Sequence, residues 1–165
     1  MSARAVIDSL EFARGGSEMR GEVQVSELGR LADSLHDRSG NLHYTLAGYV
    51  DARHRPRLRL NVTGTISLRC QRCLGNLPYE VAQESSLLLL DNAAGAESAE
   101  VDDLDAVAAD VEMDVWALVE DEVLLALPIA PRHPEGKCEL AAGAGVARKA
   151  SPFAVLANLK QKQVN

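Results

Sequence analysis

The sequence has 165 residues, of which 47% are hydrophobic and 25% are charged, and its formal net charge is −7. This length suits one domain with tails, and the composition is that of a globular protein rather than a disordered or fibrous one. No apolar run approaches the roughly 18 residues of a membrane span, the N-terminus has charges where a signal peptide is apolar, and 3 cysteines do not suit a secreted disulfide framework. We therefore expect a cytoplasmic protein with reduced thiols and no membrane association.

Charge is divided unevenly along the chain. Residues 1–72 contain eleven Arg and eight acidic residues, and residues 73–131 contain fourteen acidic residues with neither Lys nor Arg. Residues 132–165 contain six basic and two acidic residues. This pattern is either an ordinary solvated surface or a pair of faces for two kinds of partner, and the sequence leaves both interpretations open.

The first part of the chain predicts strands and one helix. The stretches "RAVIDSLEFAR" and "SEMRGEVQVSEL" resemble short strands separated by a Gly-Gly turn. In "SELGRLADSLHD", Leu28, Leu31 and Leu35 recur at helical spacing, which predicts a short helix. The stretch "NLHYTLAGYVDA" then alternates as a strand until "RHRP" ends it.

The clearest element is the strand that follows. Between residues 57 and 70 apolar and polar side chains alternate almost without exception, which predicts a half-buried strand in an antiparallel sheet. The sequence "CQRCLGN" then turns the chain, and "LPYEVAQESSLLLL" returns as the partner strand.

The remaining residues predict a loop, a helix and a tail. Residues 91–110 are small and acidic, which indicates a mobile linker, and "DVWALVEDEVLLAL" predicts a helix stopped by Pro128 and Pro131. The predicted fold is therefore α+β: an antiparallel sheet with one main helix packed on it. Residues 1–140 form the predicted domain, and residues 141–165 form a flexible tether and a short C-terminal helical segment, "SPFAVLANLK".

The cysteines allow three interpretations. A redox CxxC opens a helix, whereas Cys70 and Cys73 close a strand, so redox chemistry is disfavoured. A metal site needs two further ligands, and His133 and Cys138 complete a Cys₃His set that suits one structural zinc ion. A plain hairpin turn with unligated thiols remains the third interpretation.

Three stretches together resemble the YceD family, also called the large ribosomal RNA subunit accumulation proteins. They are "LRCQRCLGNLPYEV", "DVWALVEDEVLLALPIAPRHPEGKC" and "SPFAVLANLK", in this order within residues 57–160. The residues that match the family's signatures are Cys70, Arg72, Cys73, Asp114, Glu120, Glu122, Leu125, Pro128, His133, Cys138, Pro152, Phe153 and Leu156. The resemblance implies a non-enzymatic factor that supports synthesis, processing or stability of the large-subunit 23S ribosomal RNA.

Three functional hypotheses follow. Direct RNA binding would use the arginines in or beside the long strand, which are Arg53, Arg55, Arg57, Arg59, Arg69 and Arg72. An acidic adaptor or chaperone for a basic ribosomal protein would use the acidic middle of the chain. A metal-dependent enzyme acting on RNA is disfavoured, because a Cys₃His site leaves no open position for water. No catalytic residue is predicted, since the chain has no Gly-rich phosphate loop, GxSxG or HExxH.

Two sets of residues are candidates for partner binding. One is the acidic cluster Glu120, Asp121 and Glu122 on the predicted helix. The other is Phe153, Leu156 and Leu159, which fall on one side of the C-terminal segment. This segment either docks on its own domain or folds onto a partner, and the sequence leaves both alternatives open.

Overall fold

The computed structural model describes residues 4–91 and 105–138. In chain order its elements are β1 (Val6–Ile7), α1 (Ser9–Arg14), β2 (Glu18–Gln24), two 3₁₀ turns (Val25–Glu27 and Gly29–Leu31), β3 (Asn41–Val50), β4 (Pro56–Arg69), β5 (Asn76–Leu90), β6 (Ala106–Ala108), β7 (Met113–Asp114) and α2 (Val115–Ala126). Strands β2 to β6 form one sheet in sequence order, and β1 pairs with β7 separately. Neighbours from β2 to β5 are antiparallel, whereas β6 runs parallel to β5.

The sheet has one buried and one outer face, as the alternation in β4 predicts. Leu60 is paired with Leu46 on one side and with Ser85 on the other, and its side chain is buried. Alternate residues of β4 that point the opposite way, such as Asn61 and Thr63, are exposed. Because cross-strand partners share a face, this register places the apolar side chains of all four antiparallel strands in a single core. The predicted α+β class is confirmed.

Helix α2 covers the buried face. Its N-cap is Asp114, whose side chain accepts hydrogen bonds from the backbone N–H groups of Trp116 (2.9 Å) and Ala117 (3.3 Å). The helix ends before Pro128, as predicted, and packs against β4 and β5. This packing sets the position of the chain that leaves the helix, which carries His133 and Cys138.

The sequence predicts a strand over residues 4–14, and this prediction is wrong after residue 7. Only Val6–Ile7 is extended, and α1 follows. The reason is local: the side chain of Asp8 accepts a hydrogen bond from the N–H of Glu11 (2.9 Å) and caps the helix. Helix α1 then buries Ala13 against the sheet.

The predicted helix over residues 26–37 is replaced by the two 3₁₀ turns. Its three leucines, Leu28, Leu31 and Leu35, are nevertheless buried as the spacing indicated. The backbone N–H groups of Arg30 and Leu31 donate to the carboxylate of Glu120, on α2, instead of to carbonyls of a preceding helical turn. A long-range contact therefore replaces the local hydrogen bonds that an α-helix would use.

Two predicted segments fall wholly or partly outside the described residues. Residues 92–104 of the predicted acidic linker are not described, whereas residues 106–108 of the same stretch form β6 rather than loop. The C-terminal tether and segment, residues 141–165, also lie outside the described part of the chain. The predicted division at residue 140 stays a prediction.

Candidate metal centre

The β4–β5 hairpin presents Cys70 and Cys73. The turn is closed by hydrogen bonds from the N–H of Cys70 to the carbonyl of Gly75 (3.0 Å) and from the N–H of Leu74 to the carbonyl of Cys70 (2.9 Å). Leu74 adopts a left-handed conformation with φ of 60°. This tight turn directs both sulfur atoms to the same side of the hairpin.

The chain after α2 brings the other two candidate ligands to this turn. The N–H of Gln71 donates to the carbonyl of Pro131 (2.8 Å), which joins the hairpin to the segment that follows the helix. The ring Nε2 of His133 is 2.8 Å from the carbonyl oxygen of Asn76. Because a carbonyl only accepts, Nε2 carries a proton, and Nδ1 faces the sulfur atoms. Hydrogen bonds with Cys138 and Asn76 raise the pKa of His133, so the protonated ring donates from Nδ1 to the sulfur of Cys138, whereas a metal ion would take the neutral ring, whose Nδ1 offers a lone pair.

The four candidate ligands meet at one point. Cys70, Cys73, His133 and Cys138 each offer one atom, and all four atoms lie within 4.8 Å of one another. The Sγ atoms of Cys70 and Cys138 are 3.8 Å apart, and Nδ1 of His133 is 3.4 Å from Sγ of Cys73 and 3.7 Å from Sγ of Cys138.

These separations can be compared with those of a tetrahedral zinc site. Zn–S bonds of about 2.3 Å and Zn–N bonds of about 2.0–2.1 Å place neighbouring ligand atoms about 3.8 Å apart for two sulfurs and about 3.6 Å apart for sulfur and nitrogen. All three separations given above lie within a few tenths of an ångström of these values. The remaining separations are at most 4.8 Å, so small side-chain shifts would bring all four atoms to the distances of a four-coordinate zinc ion. The predicted cluster is brought together as the sequence predicts.

The hydrogen bonds around two of the thiols favour their charged form. Burial acts to raise the pKa of Cys70, but hydrogen bonds from the backbone N–H groups of Cys73, Arg72 and His133 lower it to about 5. Burial also acts to raise the pKa of Cys138, and hydrogen bonds from the side chains of Arg72 and His133 outweigh it, so this pKa is lowered. Thiolate is the form that binds metal.

The third thiol shows why a cation suits the cluster. A hydrogen bond from the N–H of Gly75 acts to lower the pKa of Cys73, but burial and the neighbouring sulfurs of Cys70 and Cys138 raise it overall. Crowding of negative charge thus opposes a third thiolate. A bound divalent cation would remove this opposition, since it attracts all three sulfurs at once.

Arg72 was predicted to bind RNA, and the structure places it against the cluster. Its Nε donates to Sγ of Cys138 (2.9 Å), and its Nη2 donates to the carbonyls of His133 (3.2 Å) and Pro134 (3.3 Å). These bonds hold the His133–Cys138 segment against the hairpin and balance the charge of the thiolates. The spacing of CxxC gave no indication of this contact.

The other predicted RNA-binding arginines are in differing surroundings. Arg55 and Arg57 both bind the carboxylate of Asp51, with Nε–Oδ2 distances of 2.9 and 3.0 Å, and only 14% of the Arg57 side chain is exposed. Arg53 is exposed in the turn before β4. Arg59 is exposed on the outer face, with its guanidinium 5.1 Å from the centre of the Tyr49 ring.

Charges on the outer face of the sheet are mixed. The register of β2 to β5 places four arginines and four glutamates on this face: Arg20, Arg57, Arg59, Arg69, Glu18, Glu22, Glu80 and Glu84. A face with this balance does not make a continuous basic stripe of the kind that follows a phosphate backbone.

Basic residues also adjoin the candidate ligands in the sequence. Arg69 and Arg72 flank the hairpin turn, and Arg132 and Lys137 lie beside the ligands of the second segment; all four are exposed. Glu135 is the acidic residue between them. Arg132 and Lys137 are not among the residues predicted from the sequence, although they are the first two basic residues after a stretch of 59 that contains no Lys or Arg.

Two of the acidic candidates for partner binding are engaged within the molecule. Glu120 is 7% exposed and accepts from Arg30, and Glu122 is 6% exposed and accepts from the hydroxyl of Ser85. Asp121 is exposed and pairs with Arg30. The other candidates, Phe153, Leu156 and Leu159, lie outside the described residues.

Comparison with known proteins identifies the family. Among the described residues, no helix has the length and apolarity to cross a membrane. No solved structure matches the chain. A relative from Haemophilus influenzae, named "Large ribosomal RNA subunit accumulation protein YceD", is 33% identical over 170 residues, which covers 94% of this chain and 95% of the relative. The family profile described by the same name matches residues 58–160, the range that contains both halves of the cysteine cluster, and so the chain belongs to the YceD family of large ribosomal RNA subunit accumulation proteins.

Proposed function

We propose that this protein supports the accumulation of large-subunit ribosomal RNA and that it does so by binding RNA directly. The observation that carries the first part is the match to a relative named for large ribosomal RNA subunit accumulation, which extends over 94% of the chain. The second part rests on the placement of basic side chains around the cysteine cluster.

The proposed RNA-binding surface is the basic tip, which we define as Arg69, Arg72, Arg132 and Lys137. These side chains are exposed at one end of the long β4–β5 hairpin. Phosphate contacts need cations at a protruding, accessible surface, and the mixed charges of the outer sheet face supply this less well. None of the Phe, Tyr and Trp side chains in the described part of the chain is fully exposed, so the basic tip suits recognition of backbone shape rather than of bases.

A structural zinc ion, held by Cys70, Cys73, His133 and Cys138, would give the tip its shape. Two ligands come from the hairpin and two from the segment after α2. A bound ion would therefore fix Arg132 and Lys137 relative to Arg69. Arg72 would have both roles, since its guanidinium supports Cys138 and remains exposed.

The acidic adaptor is the weaker alternative. Its proposed residues Glu120 and Glu122 have side-chain partners inside the molecule and little exposed surface. Direct RNA binding uses side chains that the fold leaves exposed.

The test is complementation in the organism that encodes the chain. Depletion of the protein should lower the ratio of large- to small-subunit ribosomal RNA, and the parent gene should restore it. A variant with Arg69, Arg132 and Lys137 replaced by Gln should fail to restore the ratio while retaining its zinc and its melting temperature. The control replaces Arg4, which precedes β1, and Arg14, the last residue of α1, by Gln.

Affinity purification of the tagged protein distinguishes direct RNA binding from the acidic adaptor. Ribosomal RNA precursor should be recovered with the parent, and ribonuclease should abolish recovery of ribosomal proteins. An unchanged RNA ratio after depletion would contradict the proposed function. Recovery of a ribosomal protein that survives ribonuclease would replace direct RNA binding by the adaptor.

A further inference from the structure

Helix α2 leaves an apolar groove on the side that faces β5 and β6. The groove has a volume of about 460 Å³. Its apolar lining consists of Leu87, Ala106, Val107, Leu118, Leu124 and Leu125. We call this surface the α2 groove.

Leu125 shows that the groove lacks a cover within the described residues. Its side chain is 79% exposed, although its neighbours on the helix, Val123 and Leu124, pack into the core. Leaving a large apolar side chain in water forgoes the stabilisation that burial gives. An exposed apolar groove of this kind is a typical docking site for an amphipathic segment.

The charge at the groove selects the kind of segment. Asp105, Asp121 and Glu122 contribute acidic side chains to its lining. No Lys or Arg occurs between residues 73 and 131, so α2, β5 and β6 add no basic group of their own. Arg30 pairs with Asp121 from outside these elements, and the lining stays net acidic through Asp105 and Glu122. The groove therefore favours an occupant with an apolar face and basic flanks.

Residues 151–160 of this chain have that character. Phe153, Leu156 and Leu159 are spaced so that a helix would place them on one side. The basic residues of the region after the described part are Arg148, Lys149, Lys160 and Lys162, against the single acidic residue Glu139. Ser151 and Pro152 suit the start of a helix, and Lys160 suits its end.

The segment can reach the groove. Twelve residues, 139–150, separate Cys138 from residue 151, and an extended chain of that length spans up to about 40 Å. Cys138 is held near the hairpin turn, where Asn76 begins β5. Only three residues farther along β5, the hydroxyl of Tyr79 donates to the carbonyl of Ala126 (3.0 Å). Ala126 is next to Leu125 in the sequence. The distance from the anchor to the near end of the groove is therefore about 10 Å along the strand, well within reach.

We propose that residues 151–160 bind in the α2 groove of their own chain, with Phe153, Leu156 and Leu159 against Leu118, Leu124 and Leu125. The competing internal occupant is the acidic segment 92–104, which ends beside the groove at Asp105. That segment carries Glu97, Glu100, Asp102 and Asp103 and no basic residue, so its charge repels the acidic lining. The basic residues that flank the C-terminal segment are attracted to the acidic lining.

The test uses the full-length chain with a photo-crosslinking residue, p-benzoylphenylalanine, at position 125. After irradiation at low protein concentration, peptide mapping should find an intramolecular adduct between position 125 and residues 151–160. The control places the same residue at position 129, because Ile129 is fully exposed but does not line the groove. This control should give no preferred adduct with 151–160.

Two substitutions test the contact itself. Leu156→Asp should reduce the adduct by about tenfold or more, since it removes one apolar contact and adds a like charge. Val146→Asp lies in the tether and should leave the yield unchanged. Any one of three results would overturn the proposal. They are an adduct to residues 92–104, an adduct to a second copy whose yield grows with protein concentration, and equal labelling of 151–160 from positions 125 and 129.

Discussion

Glu120 on α2 accepts two hydrogen bonds from Arg30, one from its backbone N–H (2.6 Å) and one from its guanidinium Nε (2.9 Å). The two residues are 90 positions apart in the sequence. The pair joins the 3₁₀ turns before β3 to the middle of α2. It also raises the pKa of Arg30, first through the hydrogen bond to Glu120 and then through that to Asp121.

Replacement of Glu120 by Gln should destabilise the protein. An amide of the same shape keeps one acceptor, but it loses the charge and presents an NH₂ group where a second acceptor was needed. The expected loss in free energy of unfolding is about 1.5–3 kcal/mol, which is the range for a hydrogen bond to a charged group. Denaturant unfolding of parent and variant measures it.

Asp121→Asn is the matched control. Asp121 is exposed and contacts the same guanidinium, so its loss should change the free energy of unfolding by less than about 1 kcal/mol. If both substitutions lowered the free energy of unfolding equally, the burial of Glu120 would contribute nothing to stability.

Gly48→Ala should displace α1. Gly48 lies on the buried face of β3, and a Cβ at this position would be 2.6 Å from Cα of Ala13 and would also meet the carbonyl oxygen of Phe12. Both atoms belong to the backbone of α1 and cannot rotate away. The expected destabilisation is about 1–3 kcal/mol or more.

The control is Gly29→Ala, because a Cβ at Gly29 meets nothing within 4 Å. Its melting temperature should stay close to that of the parent. A Gly48→Ala protein as stable as the parent would mean that the helix does not approach the sheet as closely as described.

Asp51 should give the protein an acid-sensitive contribution to stability. The backbone N–H of Arg55 is the main cause that holds the pKa of Asp51 well below its usual range, and the side chains of Arg57 and Arg55 add to it. Since the pKa is lower in the folded state, the stabilisation is complete above the unfolded pKa of about 3.9. It is lost as the pH falls from that value toward the folded pKa.

The measurement compares the parent with Asp51→Asn. The difference in free energy of unfolding should be constant above about pH 5 and should shrink below about pH 4. A difference that stays constant down to pH 2.5 would contradict the role given to the carboxylate.

Zinc should be present in the purified protein at about one ion per chain, the content expected for a single four-coordinate site. A chelator should lower the melting temperature by about 10 °C or more, since the energy of binding a structural zinc ion is coupled to folding. His133→Ala should abolish binding, whereas His43→Ala, an exposed histidine on the outer sheet face, should retain it. Metal-free protein with an unchanged melting temperature would refute the site.

Binding of ribosomal RNA fragments should depend on the basic tip. Substitution of Arg69 and Lys137 by Gln should weaken binding and reduce the slope of log affinity against log salt by about one per lost phosphate contact. The Arg4 and Arg14 double variant carries the same charge change and should bind as the parent does. Equal salt slopes for the two variants would exclude the tip as the contact surface.

The sheet was predictable because its signal is local. Alternation in β4 and the matching apolar run in β5 specify a buried face without reference to the rest of the chain, and α2 has its own cap and its own proline stop. The predicted helix over residues 26–37 was wrong because Glu120, far away in the sequence, satisfies the backbone N–H groups of Arg30 and Leu31. No local pattern carries that information.

The ligands of the metal cluster could be predicted from the sequence, but the contacts that position them could not. Cysteine and histidine types at CxxC and HxxxxC spacing indicate ligands, and the count of four follows from them. That Arg72 would support Cys138, and that the carbonyl of Asn76 would orient His133, depends on how the segment after α2 crosses the hairpin. The same crossing brings Arg132 and Lys137, each next in sequence to a candidate ligand, to the end of the hairpin that carries Cys70 and Cys73.

The candidate ligands lie on both sides of segment 92–104 in the sequence: Cys70 and Cys73 precede it, and His133 and Cys138 follow it. A bound metal ion would close this stretch into a ring of the polypeptide, since Cys70 and Cys138 are 68 positions apart. A protease that cut within 92–104 would therefore produce two fragments that the ion still joins. They would migrate as one particle on a sizing column, held together by the ion as well as by the packing of α2 on the sheet.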